Sequence, residues 1–217
     1  MKNKFKVIIF DLDGTIMDTE GYQWDGWVEV MRNYGIELID DDYLEYAGCS
    51  GSIIDEKLID RFALSVPLGQ LVKEKSMLIM EWFKEKELNF MPFAKEAIMW
   101  CKEKGYRVAL CSGGSRDEVM IKLERKNLEG CFEKVVAGSD VFRSKPFPDV
   151  YLKMIDELNV NKEDCLAIED TQFGMESAKN AGLCCFAVPH CLSSNQDFSR
   201  ADKVLESLKE VISYLDE

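Results

Sequence analysis

The chain has 217 residues, 47% hydrophobic and 31% charged, an ordinary balance for a soluble globular protein. At roughly 150 residues per domain that leaves room for one core and a smaller inserted unit. Acids outnumber bases 40 to 27, for a formal charge of −13, so a nucleic-acid backbone and an anionic lipid surface are both repelled, and no apolar run approaches the roughly 20 residues of a membrane helix.

The first element is "KVIIF" at 6–10, a continuous apolar run that runs straight into Asp11 and Asp13 of "DLDGT". Continuous rather than alternating hydrophobicity predicts a strand of a parallel sheet covered on both faces. The basic residues ahead of it give the start a superficial likeness to a leader. Aspartates interrupt the run at once and no small-residue cleavage site follows, so the segment is read as a core strand and the protein as cytoplasmic. From 18 to about 90 the pattern is helical throughout: "YQWDGWVEVMRNYG", "DDYLEYAG", "SIIDEKLIDRFA" and "LGQLVKEKSMLIMEWFKEKE", with no convincing strand among them.

From 93 onward helices and strands alternate. Helix 93–105 stops at Gly105, with basic residues in its last turn. Strand 107–111, "RVALC", precedes helix 115–128, for which Ser115 is a candidate N-cap. Strand 134–138 precedes helix 148–160, with Pro148 suited to a first helical position. Strand 165–169, "CLAIE", precedes helix 171–182, and strand 184–188 follows Gly182. The C-terminal "ADKVLESLKEVISYLDE" reads as a brief strand or turn and a helix. This alternation predicts an α/β fold, a doubly wound parallel sheet formed by 1–17 and 91–217, with an all-helical unit at 18–90 inserted after the first strand. Its hinges fall near 18–20 and 88–92.

Eight cysteines without a C-x-x-C pair read as reduced core thiols rather than a disulfide framework or a zinc site. The single histidine, His190, leaves little for a Ser-His-Asp hydrolase or an H-E-x-x-H protease to be built on. It is read as a loop histidine.

Open α/β sheets bind ligands at the carboxyl ends of their strands. There the sequence puts Asp11 and Asp13, then Ser112 with Gly113 and Gly114, then Lys145 before Pro146, then Glu169 and Asp170 before Thr171. Clustered carboxylates suit a hard cation such as Mg²⁺. A serine and glycines at a helix start offer amide donors to a phosphate, lysine supplies a point charge, and aspartate can accept a phosphoryl group. Taken singly, Ser112 could be only a helix cap, Lys145 a surface loop residue, and Glu169 and Asp170 caps of the next helix. The order of all four together points to a Mg²⁺-dependent enzyme acting on a small phosphate ester.

The stretches "FDLDGTIMDTE", "GCSGSIIDEKL", "VALCSGGS", "SKPFPDVYLKM" and "AIEDTQFGMESAKNAG" resemble the haloacid dehalogenase superfamily of phosphohydrolases, in the helical-cap branch that includes β-phosphoglucomutase and sugar-phosphate phosphatases. The resemblance implies a Rossmann-like core with a helical cap. It implies Asp11 as nucleophile and metal ligand, and Asp13 as general acid and base with its carbonyl on the metal. Ser112 and Gly113 would hold the phosphoryl oxygens, Lys145 would bridge nucleophile and phosphate, and Asp170 would bind Mg²⁺, with Glu169 on the ion or just behind it. The cap would read the leaving group.

Asp13 argues against the dehalogenases and phosphonatases of this superfamily, which lack an acid there. The mutases carry a cap histidine where this chain has Gln23 and a cap arginine where it has Gly51, so a phosphatase is expected ahead of a mutase. A non-catalytic phosphometabolite-binding protein is a third reading, and a phosphoacceptor receiver domain a fourth. Gln23 and Ser50 are carried as substrate-binding candidates, with Ser52, Trp24 and Trp27 beside them; the two tryptophans are read first as cap core. A monomer is expected.

Overall fold

The computed structural model describes residues 5–39, 42, 46 and 51–216. Its centre is a six-stranded parallel sheet built from β1 (Val7–Phe10), β4 (Arg107–Cys111), β5 (Val135–Val136), β6 (Cys165–Glu169), β7 (Cys184–Ala187) and β8 (Lys203–Val204). The spatial order is β5-β4-β1-β6-β7-β8. The first strand in sequence is thus central, and the chain winds outward from it in both directions. The expected α/β doubly wound fold is the one observed.

Side-chain parity explains why the strand sequences are apolar without alternation. Ile8, Phe10, Val108, Leu110, Leu166 and Ile168 face one layer of core. Val7, Ile9, Ala109, Cys111, Cys165 and Ala167 face the other. Successive strand residues point to opposite faces, so both parities must be hydrophobic when both faces are covered. The first layer is closed by α4 (Ala94–Glu103), α5 (Arg116–Arg125) and α8 (Leu208–Asp216), the second by α6 (Asp149–Leu158) and α7 (Gln172–Asn180). Truncating a residue such as Leu110, buried between sheet and helices, costs about 2–5 kcal/mol.

Local capping follows the expected chemistry with shifts of a residue or two. Ser115 caps α5, its hydroxyl accepting from the Glu118 amide at 3.3 Å. Thr171 caps α7, accepting from the Gly174 amide, so Glu169 and Asp170 are released from a capping role. Pro148 is the N-cap of α6 rather than its first helical residue. The expected strand 134–138 is only two residues long, because a 3₁₀ turn takes over at Gly138–Asp140.

Between β1 and β4 the chain adds α1 (Glu20–Asn33), α2 (Gly51–Arg61) and α3 (Gln70–Glu85). They pack on their own cluster, which includes Trp27, Met31, Ile54, Leu58 and Leu71. Asp55 of α2 ties the unit together by capping α3 from outside, accepting from the Gly69 and Val72 amides at 2.7 and 2.9 Å. Of the expected helix in "DDYLEYAG", only Asp42 and Tyr46 are among the described residues, and both are helical. One expectation is corrected: 18–90 is not without strands. β2 (Met17–Asp18) and β3 (Asn89–Phe90) pair antiparallel at the two crossings. Two residues per strand are too few to leave a period in the sequence.

Among the described residues no helix is long and apolar enough to cross a membrane, and no disulfide joins the described cysteines.

Candidate active site

The topology explains why four distant segments meet. β4, β1 and β6 are neighbours, and Phe10 lies level with Leu110 and Ile168. Asp11 therefore leaves the sheet beside Cys111–Ser112 on one side and Glu169–Asp170 on the other. Its amide still donates to the Ile168 carbonyl at 3.0 Å, which fixes where its carboxylate starts. Lys145 arrives from the loop after β5 and donates to Asp11 Oδ1 at 2.5 Å, to Glu169 Oε1 at 2.6 Å and to the Cys111 carbonyl at 3.1 Å.

Carboxylate oxygens of Asp11, Glu169 and Asp170 lie within 4.8 Å of one another. One lysine shared among these acids does not balance them. Burial pushes the Asp11 carboxyl well above its ordinary range; Lys145 opposes this, while Glu169, Asp170 and Asp13 add to it. Burial likewise raises Glu169. For Lys145, burial favours the neutral amine, but Asp11 and Glu169 outweigh it and hold the ammonium. Glu169 Oε2 is buried with no hydrogen-bond partner among the described residues, while its Oε1 also accepts from the Tyr151 hydroxyl. An all-oxygen donor set with excess negative charge and an orphaned oxygen fits a hard divalent cation.

Asp170 is oriented by groups that the sequence did not advertise. His190 Nε2 lies 3.0 Å from Asp170 Oδ2. In the neutral ring its Nδ1 accepts from the Leu192 amide at 3.2 Å, which leaves the proton on Nε2 to donate to the carboxylate; charging the ring gives up the Leu192 contact. His190 is raised to about 9: burial opposes the charge, and the hydrogen bond and charge of Asp170 outweigh it. His190 does lie in a loop as expected, but that loop returns to the site. Gly14, at φ +78, passes so close that a Cβ there would stand 2.1 Å from Asp170 Oδ2.

Asp13 sits in a different environment. Its Oδ1 accepts from Lys122 of α5 and from the Thr19 hydroxyl. Burial alone would raise this carboxyl; the charge and hydrogen bond of Lys122, then Thr19, bring it below its ordinary range. Lys122 has a sequence signal in retrospect, since it lies between Val119 and Leu123 on the buried face of α5.

A cavity of about 540 Å³ opens over these groups, between the strand ends and the inserted helices. Asp11, Asp13, Gly113, Lys145 and Asp170 line its floor; Gln23, Trp24, Trp27, Ser52 and Lys75 line its roof. Ser112 does not line it. Its residue is fully buried and its hydroxyl accepts from the Gly114 amide at 3.1 Å, shaping the loop from beneath. Gln23 accepts from Lys75. Trp27 belongs both to the core of the inserted helices and to the cavity wall. Ser50 lies outside the described residues.

The sequence model of the haloacid dehalogenase-like hydrolases matches residues 8–188. A phosphorylated carbohydrates phosphatase of Thermotoga maritima is 30% identical over 220 residues, covering 95% of this chain and all of the relative. Hexitol phosphatase B of Escherichia coli is 29% identical, covering 94% of this chain and 92% of the relative. Among solved structures, a CbbY variant from Rhodobacter sphaeroides holding xylulose-1,5-bisphosphate superposes with a TM-score of 0.83 at 26% identity, covering 95% of this chain and 96% of that one. The chain belongs to the haloacid dehalogenase-like hydrolases and is a phosphoric monoester hydrolase of that family.

Proposed function

We propose that the protein hydrolyses a small phosphorylated carbohydrate through a phosphoryl group carried on Asp11, with Mg²⁺ as cofactor. The observation that carries this reading is the contact of Lys145 with Asp11 inside the triad of Asp11, Glu169 and Asp170 oxygens. Those three residues, with the Asp13 carbonyl, would hold the ion, and a bound Mg²⁺ supplies charge neutralisation for the phosphoryl oxygens.

The chain's own residues account for the rest. An Asp11 carboxylate oxygen attacks phosphorus and the bond to the leaving oxygen breaks. Asp13 gives its proton to that oxygen, producing the neutral alcohol. The resulting Asp13 carboxylate then takes a proton from water, whose oxygen attacks phosphorus. The bond to Asp11 breaks, and inorganic phosphate leaves with Asp11 restored. Lys122 and Thr19 favour the carboxylate form of Asp13, which suits the second step. A phosphate dianion arriving beside it favours protonation, which suits the first. The Gly113 amide and Lys145 hold the transferring group. Residues 18–90 act as the cap that closes over the leaving group and excludes water.

A phosphatase is favoured over a mutase by the cationic inventory. Among the described residues lining the cavity the cations are Lys75 and Lys145, one bound to Gln23 and the other to Asp11 and Glu169. Residues 40–50 contain no lysine or arginine. A Cβ at Gly51 would meet Val72 at 2.8 Å, so the position has no ready space for the mutase arginine. Among the described residues lining the cavity there is no arginine to take a second phosphate. The protein is taken to act as a cytoplasmic monomer, without nucleic acid or membrane.

Phosphate release from p-nitrophenyl phosphate with Mg²⁺, lost in Asp11→Asn, tests the chemistry. Turnover across a panel of hexose, pentose and hexitol phosphates tests the substrate class. Conversion of β-glucose 1-phosphate into glucose 6-phosphate would overturn the choice of phosphatase over mutase.

A further inference from the structure

Lys122 is a fully buried ammonium with no exposure at all. Burying a charge is costly unless it is paired, and among the described residues its ion-pair partner is Asp13 alone. The rest of its surroundings give no second acid contact: Nζ stands 4.3 Å above the Phe83 ring of α3. The lysine thus comes from a core helix, passes under the inserted helices and ends on one carboxylate oxygen. Thr19 donates to that same oxygen. No described residue donates to the other oxygen, Oδ2, while Asp13 itself lines the cavity.

We propose that Lys122 is the positioning residue for Asp13: by pinning Oδ1 together with Thr19 it leaves Oδ2 as the oxygen offered to the leaving group. Two donors on one oxygen fix both side-chain torsions of an aspartate. A hydroxyl alone leaves it a choice of rotamers. A proton donor displaced by about an ångström loses on the order of 100-fold in rate, so the lysine acts on catalysis without touching substrate. This inference rests on the reading of Asp13 as the general acid and base.

The test uses two esters. A sugar phosphate expels an alkoxide, which must be protonated as it leaves. p-Nitrophenyl phosphate expels a phenolate stabilised by its nitro group, which needs no proton. Lys122→Met is expected to lower kcat/KM on the sugar phosphate by about 100-fold and on p-nitrophenyl phosphate by less than about 5-fold, with Lys122→Gln, which keeps one donor, falling between wild type and Lys122→Met on the sugar ester. In Asp13→Asn the added Lys122→Met substitution should cost nothing further, because groups acting as a unit are not additive. Equal losses on both esters, or an additive double variant, would overturn the proposal.

A crystal structure of Lys122→Met supplies a readout free of activity. Asp13 should lose its single orientation and occupy more than one rotamer. If it keeps the wild-type orientation with Oδ1 on Thr19, the lysine does not position it. Failure of the wild-type chain to hydrolyse either ester would instead strike the proposed function, and the Asp13 orientation in the variant would still decide the role of Lys122. Should Lys122→Met not fold, Lys122→Gln carries the same two measurements, with an unchanged ester preference and an unchanged Asp13 overturning the proposal.

Discussion

Lys145 Nζ stands 2.5 Å from Asp11 and 2.6 Å from Glu169, so a single buried ammonium holds two buried carboxylates at the ends of two neighbouring strands. Removing one partner from such a group leaves uncompensated charge and costs about 3–5 kcal/mol. Lys145→Met is therefore expected to lower the urea midpoint sharply at neutral pH. Acidification, which neutralises the two carboxyls, should narrow the gap to wild type. Chemical denaturation of both proteins across pH measures this; a loss that does not shrink in acid would mean that the lysine stabilises by packing. Phosphatase activity should fall in the same variant by about 1,000-fold, the scale of losing a fixed charge on a transferring group.

Asp170 is held from two sides, by the His190 imidazole and by the close passage of Gly14. Groups that orient a metal ligand typically account for about 10–100-fold in metal affinity. His190→Ala is expected to weaken Mg²⁺ binding within that range. Gly14→Ala should weaken it at least as much, since its Cβ would press on the carboxylate and its φ of +78 disfavours any side chain. Mg²⁺-dependent thermal stabilisation, read as the concentration needed for half the shift, tests both without reference to turnover. Unaltered midpoints in both variants would remove Asp170 from the ion.

Glu20 opens α1 beside the cavity, and its carboxyl is raised to about 7, by burial first and then by the charges of Asp170 and Asp13. Between the ordinary value of 4.5 and about 7 the native state holds a proton that the unfolded state has released. The unfolded state then binds fewer protons, so stability falls as pH rises through this window. Glu20→Gln abolishes that contribution. Its unfolding free energy should match wild type best in acid and exceed it above neutrality. Parallel pH dependence of the two proteins would place the Glu20 carboxyl in solvent.

Much of this was legible before any coordinates. The double winding follows from continuous apolar strands separated by helix-period segments, and the positions of Asp11, Lys145, Glu169 and Asp170 follow from strand ends meeting at one sheet edge. What escaped was carried by single residues in otherwise bland contexts. Lys122 looks like an ordinary helical lysine until the buried face of α5 is known. His190 lies 20 residues beyond Asp170 in a loop whose return path has no sequence period. The β2–β3 ribbon is too short to alternate. Ser112 shows what a motif leaves open. Its residue type and place suit phosphate, while its hydroxyl oxygen accepts from the Gly114 amide of its own loop, a local contact that no motif encodes.

Gly138 is another residue without a sequence signal, and it bears on the loop that would receive the phosphate. Its amide donates to the Gly114 carbonyl at 2.8 Å. A Cβ on Gly138 would stand 2.2 Å from the Gly113 carbonyl oxygen. That neighbour is backbone, which cannot swing aside as a flexible side chain can. Gly138→Ala must therefore push the Gly113–Gly114 segment or move its own strand end. Forced overlap of this kind costs about 1–3 kcal/mol, and the displaced amides should bind anions less well. Inhibition by inorganic phosphate is expected to weaken by about 10-fold, equivalent to about 1.4 kcal/mol. Gly130 serves as the control, since a Cβ there meets nothing within 4 Å, and Gly130→Ala should leave the inhibition constant unchanged. Equal phosphate inhibition in Gly138→Ala and wild type would show that the loop amides do not contact the anion.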